Sequence, residues 1–296
     1  MDSERFLCSL KPFIFILKLF GCFPYEIKPV NVTQISVKVS KIQVIYGFLL
    51  LIISTSYTIT YHSEIHSKLL IDIVFEAHSD VISILAIICF LNNLSNTNEI
   101  CRIFENTFLY LKYLTDLKFC GKIPWVTAGL IVLHLSTGLA SHLVYYLIYE
   151  PDDIVIYILD VTTFSITDFL ISSIVYEFCF LLIYFCKIIE VLNDDFENLI
   201  VKTENSNFLI IDENEFSKLA KVFMKIRDLL EEINDYFGVE VTVVMFLCFL
   251  GLLESLYQFI FDGNFVMFLV WFGYFALFLW FILYSCEEAV NEVRNM

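Results

Sequence analysis

The chain has 296 residues, 58% of them apolar, with a mean hydropathy of +0.75 and a formal charge of −16. That hydropathy excludes a soluble enzyme, and the acidic balance disfavours nucleic acid as a partner, because a phosphate backbone calls for basic patches. The acidity is mostly local: Glu190 to Asp235 holds 12 acidic residues against 5 basic ones.

Residues 1–42 read as an N-terminal cytoplasmic segment. Lys11, Pro12 and Lys18 interrupt its apolar stretch and no small-residue cleavage site follows, so a signal peptide is not expected. A short amphipathic helix with Phe13, Ile14, Leu17 and Phe20, lying in the membrane surface, is expected instead. Six apolar blocks follow, at 43–61, 69–94, 124–149, 154–189, 238–261 and 265–286. The first is 19 residues without a charge, about 28 Å of helix, which matches the hydrocarbon thickness. A span must satisfy its own backbone, and Phe/Leu/Ile richness does not suggest the alternation of a barrel. A soluble bundle would need polar faces that the first, fifth and last blocks lack. The fold class expected is therefore all-α, a polytopic membrane helical bundle over 43–296.

The fourth block runs for 36 residues, roughly 54 Å as one helix, so its inner end should leave the bilayer. Over 214–237, Leu219, Val222, Phe223, Ile226, Leu229, Leu230 and Ile233 recur at helical spacing and lead straight into Gly238. A cytoplasmic helical extension over 190–237 is expected, with 198–213 as a loop.

Basic residues set the direction of threading. All of the 18 Lys and Arg except Lys68 fall in the N-terminal segment, alternate connections (counting Lys187 at the inner end of the fourth block) and the C-terminal tail. Cytoplasmic loops carry this excess, so six spans with both termini in the cytoplasm are expected. No cysteine falls in an outer loop, and all nine are read as free thiols. Asn31-Val-Thr33 and Asn93-Leu-Ser95 match glycosylation acceptors but lie on the inner side in this topology. Outer connections are short, so recognition of an external molecule must occur between helices.

Leu10-Lys11-Pro12, leading to Lys18-Leu19-Phe20-Gly21 and Pro24, resembles the start of insect gustatory receptors. Leu229-Leu230 through Ile233-Asn234-Asp235-Tyr236-Phe237-Gly238 resembles their entry into the fifth span. The resemblance covers nearly the whole chain and implies a ligand-gated cation channel, tetrameric, with topology inverted relative to G-protein-coupled receptors. It also implies a cell-membrane protein of sensory neurons, assembling with identical or other receptor subunits and detecting a small organic tastant. Members of that family have seven spans, the last lining the pore with a Thr-Tyr…Gln-Phe signature. Here no apolar block follows Cys286, and Tyr257-Gln258-Phe259 does not stand in for the signature. The expectation is a chain truncated before the last span and non-conducting alone.

Ionisable residues within spans carry a penalty of at least about 2.5–3.5 kcal/mol and usually face protein or water. Glu76, His78, Asp80, His134, His142, Asp160, Asp168, Glu177, Glu240 and Glu254 are such residues. The threading places His142, Tyr145, Tyr146, Asp160, Thr163, Glu254, Tyr257 and Gln258 in the outer half, with Trp271 and Tyr274 a third to halfway down the last block. Aromatic faces with a few acceptors at one depth suit a pocket for a small polar organic molecule, and these ten residues are the candidate ligand-binding set. The competing reading is interhelical hydrogen bonding without a ligand. Glu76 and Asp80 share a helical face, and Glu64, Glu150, Asp152, Asp153 and Asp262 form an acidic outer rim.

Catalytic motifs are missing, and no cofactor or metal is implied: His62 and His66 are four apart but too few for a site. A secondary transporter using Asp168 for proton coupling is the alternative, as is an inactive receptor fragment. Transporters usually carry repeats and broken helices. This chain has 9 Gly and 5 Pro, with no Pro in the interior of a block.

Overall fold

In the computed structural model, residues 3–19, 21, 23–31, 34–62, 70–109, 122–149, 154–205, 213–263 and 265–294 are described. The chain begins with helix α1 (Ser3–Leu19), which carries Pro12 inside it. Leu10, Phe13 and Leu17, spaced three and four apart, turn one stripe of α1 into the protein core, while Phe15 and Leu19 point out. Gly21, at φ 74, ends the helix in a left-handed turn with its N–H on the Lys18 carbonyl at 3.1 Å.

Strands β1 (Tyr25–Asn31) and β2 (Gln34–Val39) then pair as an antiparallel hairpin, with a bulge between Pro29 and Asn31. Alternation explains the pairing. Ile27 stands opposite Val37 on the inner face, with Tyr25 and Ile35 alongside, while Glu26 and Lys28 face out. Within residues 1–42 only a short helix was expected, and this hairpin was not. It survives because it buries its inner face: Phe23 and Tyr25 pack on Phe104, and the Val37 N–H donates to Glu105 Oε1 at 2.8 Å.

Helix α2 (Lys41–His62) follows, then α3 (Leu70–Ser95) and α4 (Thr97–Leu109). Asn96 separates the last two: its carbonyl accepts from the N–H groups of Glu99 and Ile100, and the chain bends by 73° there. Helix α4 lies between the second and third apolar blocks, where no helix was expected. Its buried side is Ile100, Ile103, Phe104, Thr107 and Phe108, pressed on the hairpin.

The remaining helices are α5 (Lys122–Tyr149), α6 (Ile154–Asn205), α7 (Glu213–Asp262) and α8 (Phe265–Arg294). Each of the six apolar blocks coincides with one helix: α2, α3, α5, α6, α7 and α8. The long reach expected of the fourth block is present, and α6 continues to Asn205 across the first part of the expected loop. Residues 214–237 and the fifth block form one continuous helix.

By length and composition four helices can cross a membrane, or five if the bent α3–α4 pair is one span, and the described apolar part of α2 is shorter. Apolar side chains cover the outside of these helices: Ile45, Phe48, Leu49, Ile52 and Ile53 on α2, Phe246, Phe249, Leu253 and Ile260 on α7. An aqueous surface of that kind would be insoluble, so hydrocarbon is its solvent. The molecule is a polytopic membrane helical bundle. Inside it, α6 is enclosed by its neighbours, with Phe169 to Leu182 buried without interruption.

Lys68, Glu64, His66, Glu150, Asp152 and Asp153 lie outside the described residues, as do Phe20, Cys22 and Cys120 and the side chains of His62, Glu76, His78, Tyr145, Asp160 and Asp262. The seven described cysteines are free.

The turn after α1 is locked to α2 at a glycine pair. A Cβ on Gly47 would lie 2.5 Å from the Gly21 carbonyl oxygen and one on Gly21 2.6 Å from the Gly47 Cα, while the Tyr46 hydroxyl donates to the Leu19 carbonyl at 2.7 Å. Backbone cannot retreat as a side chain would. Gly47→Val should therefore destabilise the protein by about 1–3 kcal/mol, the usual overpacking range, read as a lowered unfolding midpoint in lipid nanodiscs. An unchanged midpoint would contradict this packing.

Candidate functional site

On α5 the residues His134, Gly138, His142 and Tyr146 recur every four positions and form one ridge along the helix. This ridge lies against α6 and α8. Deepest in the bundle, His134 Nε2 is 2.8 Å from the Tyr274 hydroxyl and 3.4 Å from Asp168 Oδ2, and the Tyr274 hydroxyl donates to Asp168. The single Tyr274 proton is committed to the carboxylate, so the imidazole must donate to the phenol oxygen. That assigns a proton to Nε2. Nδ1 is buried with no partner among the described residues.

Aromatic rings hold this knot in place. The His134 ring lies 4.4 Å from Tyr274 and 4.6 Å from Phe278, with the Tyr176 edge at 5.8 Å. Gly138 permits the approach: a Cβ there would meet the Tyr274 ring at 3.3 Å. His134 is nearly inaccessible, whereas the Asp168 side chain keeps 21% of its surface, so the carboxylate is the more exposed of the two.

Two turns further along α5, the His142 ring meets Trp271 edge-on at 5.7 Å, and the His142 carbonyl accepts from the Tyr157 hydroxyl. Trp271 stacks on Phe275 at 6.0 Å and meets Tyr274 edge-on at 6.0 Å. Tyr146 lies 5.3 Å from Tyr157. The arrangement is an aromatic column about two to three turns long, walled by α5, α6 and α8, with a His–Tyr–Asp base. Flat faces with hydrogen-bonding tips are the chemistry that grips small amphipathic organic molecules.

Of the residues singled out from the sequence, His142, Tyr146, Trp271 and Tyr274 stand together in this column. Thr163, also on α6, faces α2: its carbonyl accepts from Ser54 Oγ at 3.3 Å, beside a Ser54–Thr167 hydroxyl pair. Glu254, Tyr257 and Gln258 belong to α7. Helices α6 and α8 touch each other and both touch α5 and α7, so this pair lies between the α5 column and α7. Glu254 is buried, Gln258 half-buried, and Tyr257 is exposed with its ring stacked on Phe261 at 4.1 Å. The side chains of Tyr145 and Asp160 are outside the described residues. Reasoning from sequence left out Tyr157 as well as His134 and Asp168 as pocket members. The four-residue recurrence on α5 was the signal that pointed to His134.

Residues 10–296 match the profile of the family described as 7tm Chemosensory receptor. No curated protein sequence matches the chain. Among solved structures it is similar to the insect olfactory receptor OR5 from Machilis hrabei, with a TM-score of 0.70 and 16% identity over 95% of this chain and 79% of that one. At that identity the likeness establishes the fold, and the profile match, which spans nearly every residue, establishes kinship. This chain belongs to the 7tm chemosensory receptor family.

Proposed function

We propose that the chain is a subunit of a gustatory receptor of the ligand-gated cation channel type, which detects a small organic tastant between its helices. One observation carries the reading: a buried His–Tyr–Asp knot, with an imidazole nitrogen unpartnered among the described residues and a partly open carboxylate, forms the floor of an aromatic column. Family membership and the likeness to an olfactory receptor support the receptor class. The tastant is gripped by Tyr146, Tyr157, His142 and Trp271, with Asp168 and His134 reading its polar end. Tyr145, Asp160 and Thr163 complete the α5–α6 side, and Glu254, Tyr257 and Gln258 form a second polar group on α7. The subunit acts in the cell membrane of a sensory neuron, within a homo- or hetero-tetramer.

The transporter alternative rests on Asp168. That carboxylate is engaged by Tyr274 and by His134, and α5, α6, α7 and α8 run through the bundle without a break. Broken helices at the midplane are what a transporter uses to expose such an acid.

A panel of small polar tastants, screened by ligand-induced thermal shift on the full chain in nanodiscs and by ion flux with co-expressed subunits, tests the reading. Trp271→Ala and Asp168→Asn should each raise the half-maximal ligand concentration on the order of tenfold, equivalent to about 1.4 kcal/mol. Val132→Ala, on the lipid-facing side of α5, should leave it unchanged. Identical ligand curves for wild type, Trp271→Ala and Asp168→Asn would refute the pocket.

A further inference from the structure

A second polar site lies at the end of the bundle that carries the Lys and Arg residues, where α3, α4, α6, α7 and β1 meet. Glu177, on the enclosed stretch of α6, is 1% exposed, and no described residue donates to either of its oxygens. Glu240 of α7 is within electrostatic reach of it. Glu240 Oε1 accepts from Asn92 Nδ2 at 2.7 Å, and Oε2 is buried without a described partner. Three of the four carboxylate oxygens are thus without a hydrogen-bond partner among the described residues.

The surroundings are neutral oxygens and further acids. Asn93 Oδ1 accepts from the Tyr236 hydroxyl at 2.8 Å, and Asn92 Oδ1 accepts from Asn96 at 2.7 Å. The Tyr25 hydroxyl, brought in by β1, is buried, and burial together with the Glu177 charge raises its pKa far above the ordinary phenol value. Glu99 and Cys89 are also within reach of the cluster through Tyr236, and Cys101 through Tyr25. Arg102, on α4, is turned to the surface with Glu99 and Glu232 at 3.7 and 3.6 Å. Among the described residues neither carboxylate has an ion pair.

Two carboxylates close together in a low-dielectric interior repel each other, and each is heavily penalised if it stays charged without a partner. Interhelical hydrogen bonding does not account for the arrangement, because such glue consists of bonds that are made. What fits is a compact positive charge that takes oxygen ligands. Hard divalent cations are bound by carboxylates, amide carbonyls and water, and two acids match their charge. No group of three or more His, Cys, Asp or Glu converges among the described residues, so neutral oxygens would complete the shell.

We propose that Glu177 and Glu240, with the neutral oxygens at the end of α3, bind a hard divalent cation of the Ca²⁺ or Mg²⁺ class. The site lies beside the α3–α4 elbow and under the hairpin, so occupancy ties both to the central helix. It is independent of the tastant pocket and of the receptor reading.

The full chain in zwitterionic nanodiscs, stripped with EDTA and titrated with CaCl₂ or MgCl₂ at constant ionic strength and pH, provides the test. The unfolding midpoint of the wild type should rise with the logarithm of the concentration of one of these cations. Glu177→Gln keeps the shape and removes the charge, so it should lose that rise and be at least as stable as the wild type in EDTA. Glu240→Gln should lose the rise as well, and carries the comparison alone if Glu177→Gln does not fold. A wild-type midpoint insensitive to both cations overturns the proposal. So does a midpoint that responds to pH but to neither metal, which would assign the charge to a proton, or a full metal response in the glutamine variants.

Discussion

Helix α6 is enclosed by other helices along most of its length, and the polar groups it carries depend on those neighbours for partners. Water is not available there to make up a missing hydrogen bond, and an unanswered polar atom in hydrocarbon is heavily penalised. The consequences appear in order along the helix. Thr163 and Thr167 meet Ser54 of α2, and Asp168 meets Tyr274 of α8 and His134 of α5, while Glu177 has only the charge of Glu240 of α7 within electrostatic reach. Each of these groups fixes which neighbour lies where. Apolar surface drives no sorting of helices in lipid, so these contacts and close packing do it.

The same constraint places the site. A carboxylate such as Asp168 can remain in the bundle only where donors surround it, and the donors here are aromatic or imidazole groups that also supply flat surface. The polar base and the aromatic walls of the column are therefore one arrangement rather than two. Gly138 takes part by removing the side chain that would hold Tyr274 off the α5 ridge.

Much of the architecture was legible because lipid imposes long, simple patterns. Six uncharged or nearly uncharged blocks became six helices, and the heptad-like run from Leu219 to Ile233 joined its span without a break. The hairpin and α4 were missed for different reasons. Tyr25, Ile27, Ile35 and Val37 alternate as strands do, but each run is short and its partner surface, Phe104 on α4, lies far away in sequence. The expected depth put His142, Tyr146, Trp271 and Tyr274 in one group, and in the structure they adjoin one another, yet depth says nothing about azimuth. Glu254 and Tyr257 share that depth and fall on α7, beyond the α6–α8 pair. His134 and Asp168 were recognisable as intramembrane ionisable residues, but their partnership through Tyr274 depends on helix packing that one chain's pattern does not encode.

The most direct test of the idea that α6 is held by polar partners is a double-mutant cycle between Asp168→Asn and Tyr274→Phe, followed by equilibrium unfolding in bilayers. A coupling energy of about 0.6–1.7 kcal/mol, the range of interhelical hydrogen bonds in membranes, is the expected result. Strict additivity of the two substitutions would mean that the contact bears no energy, and the account of how this bundle is ordered would fail with it.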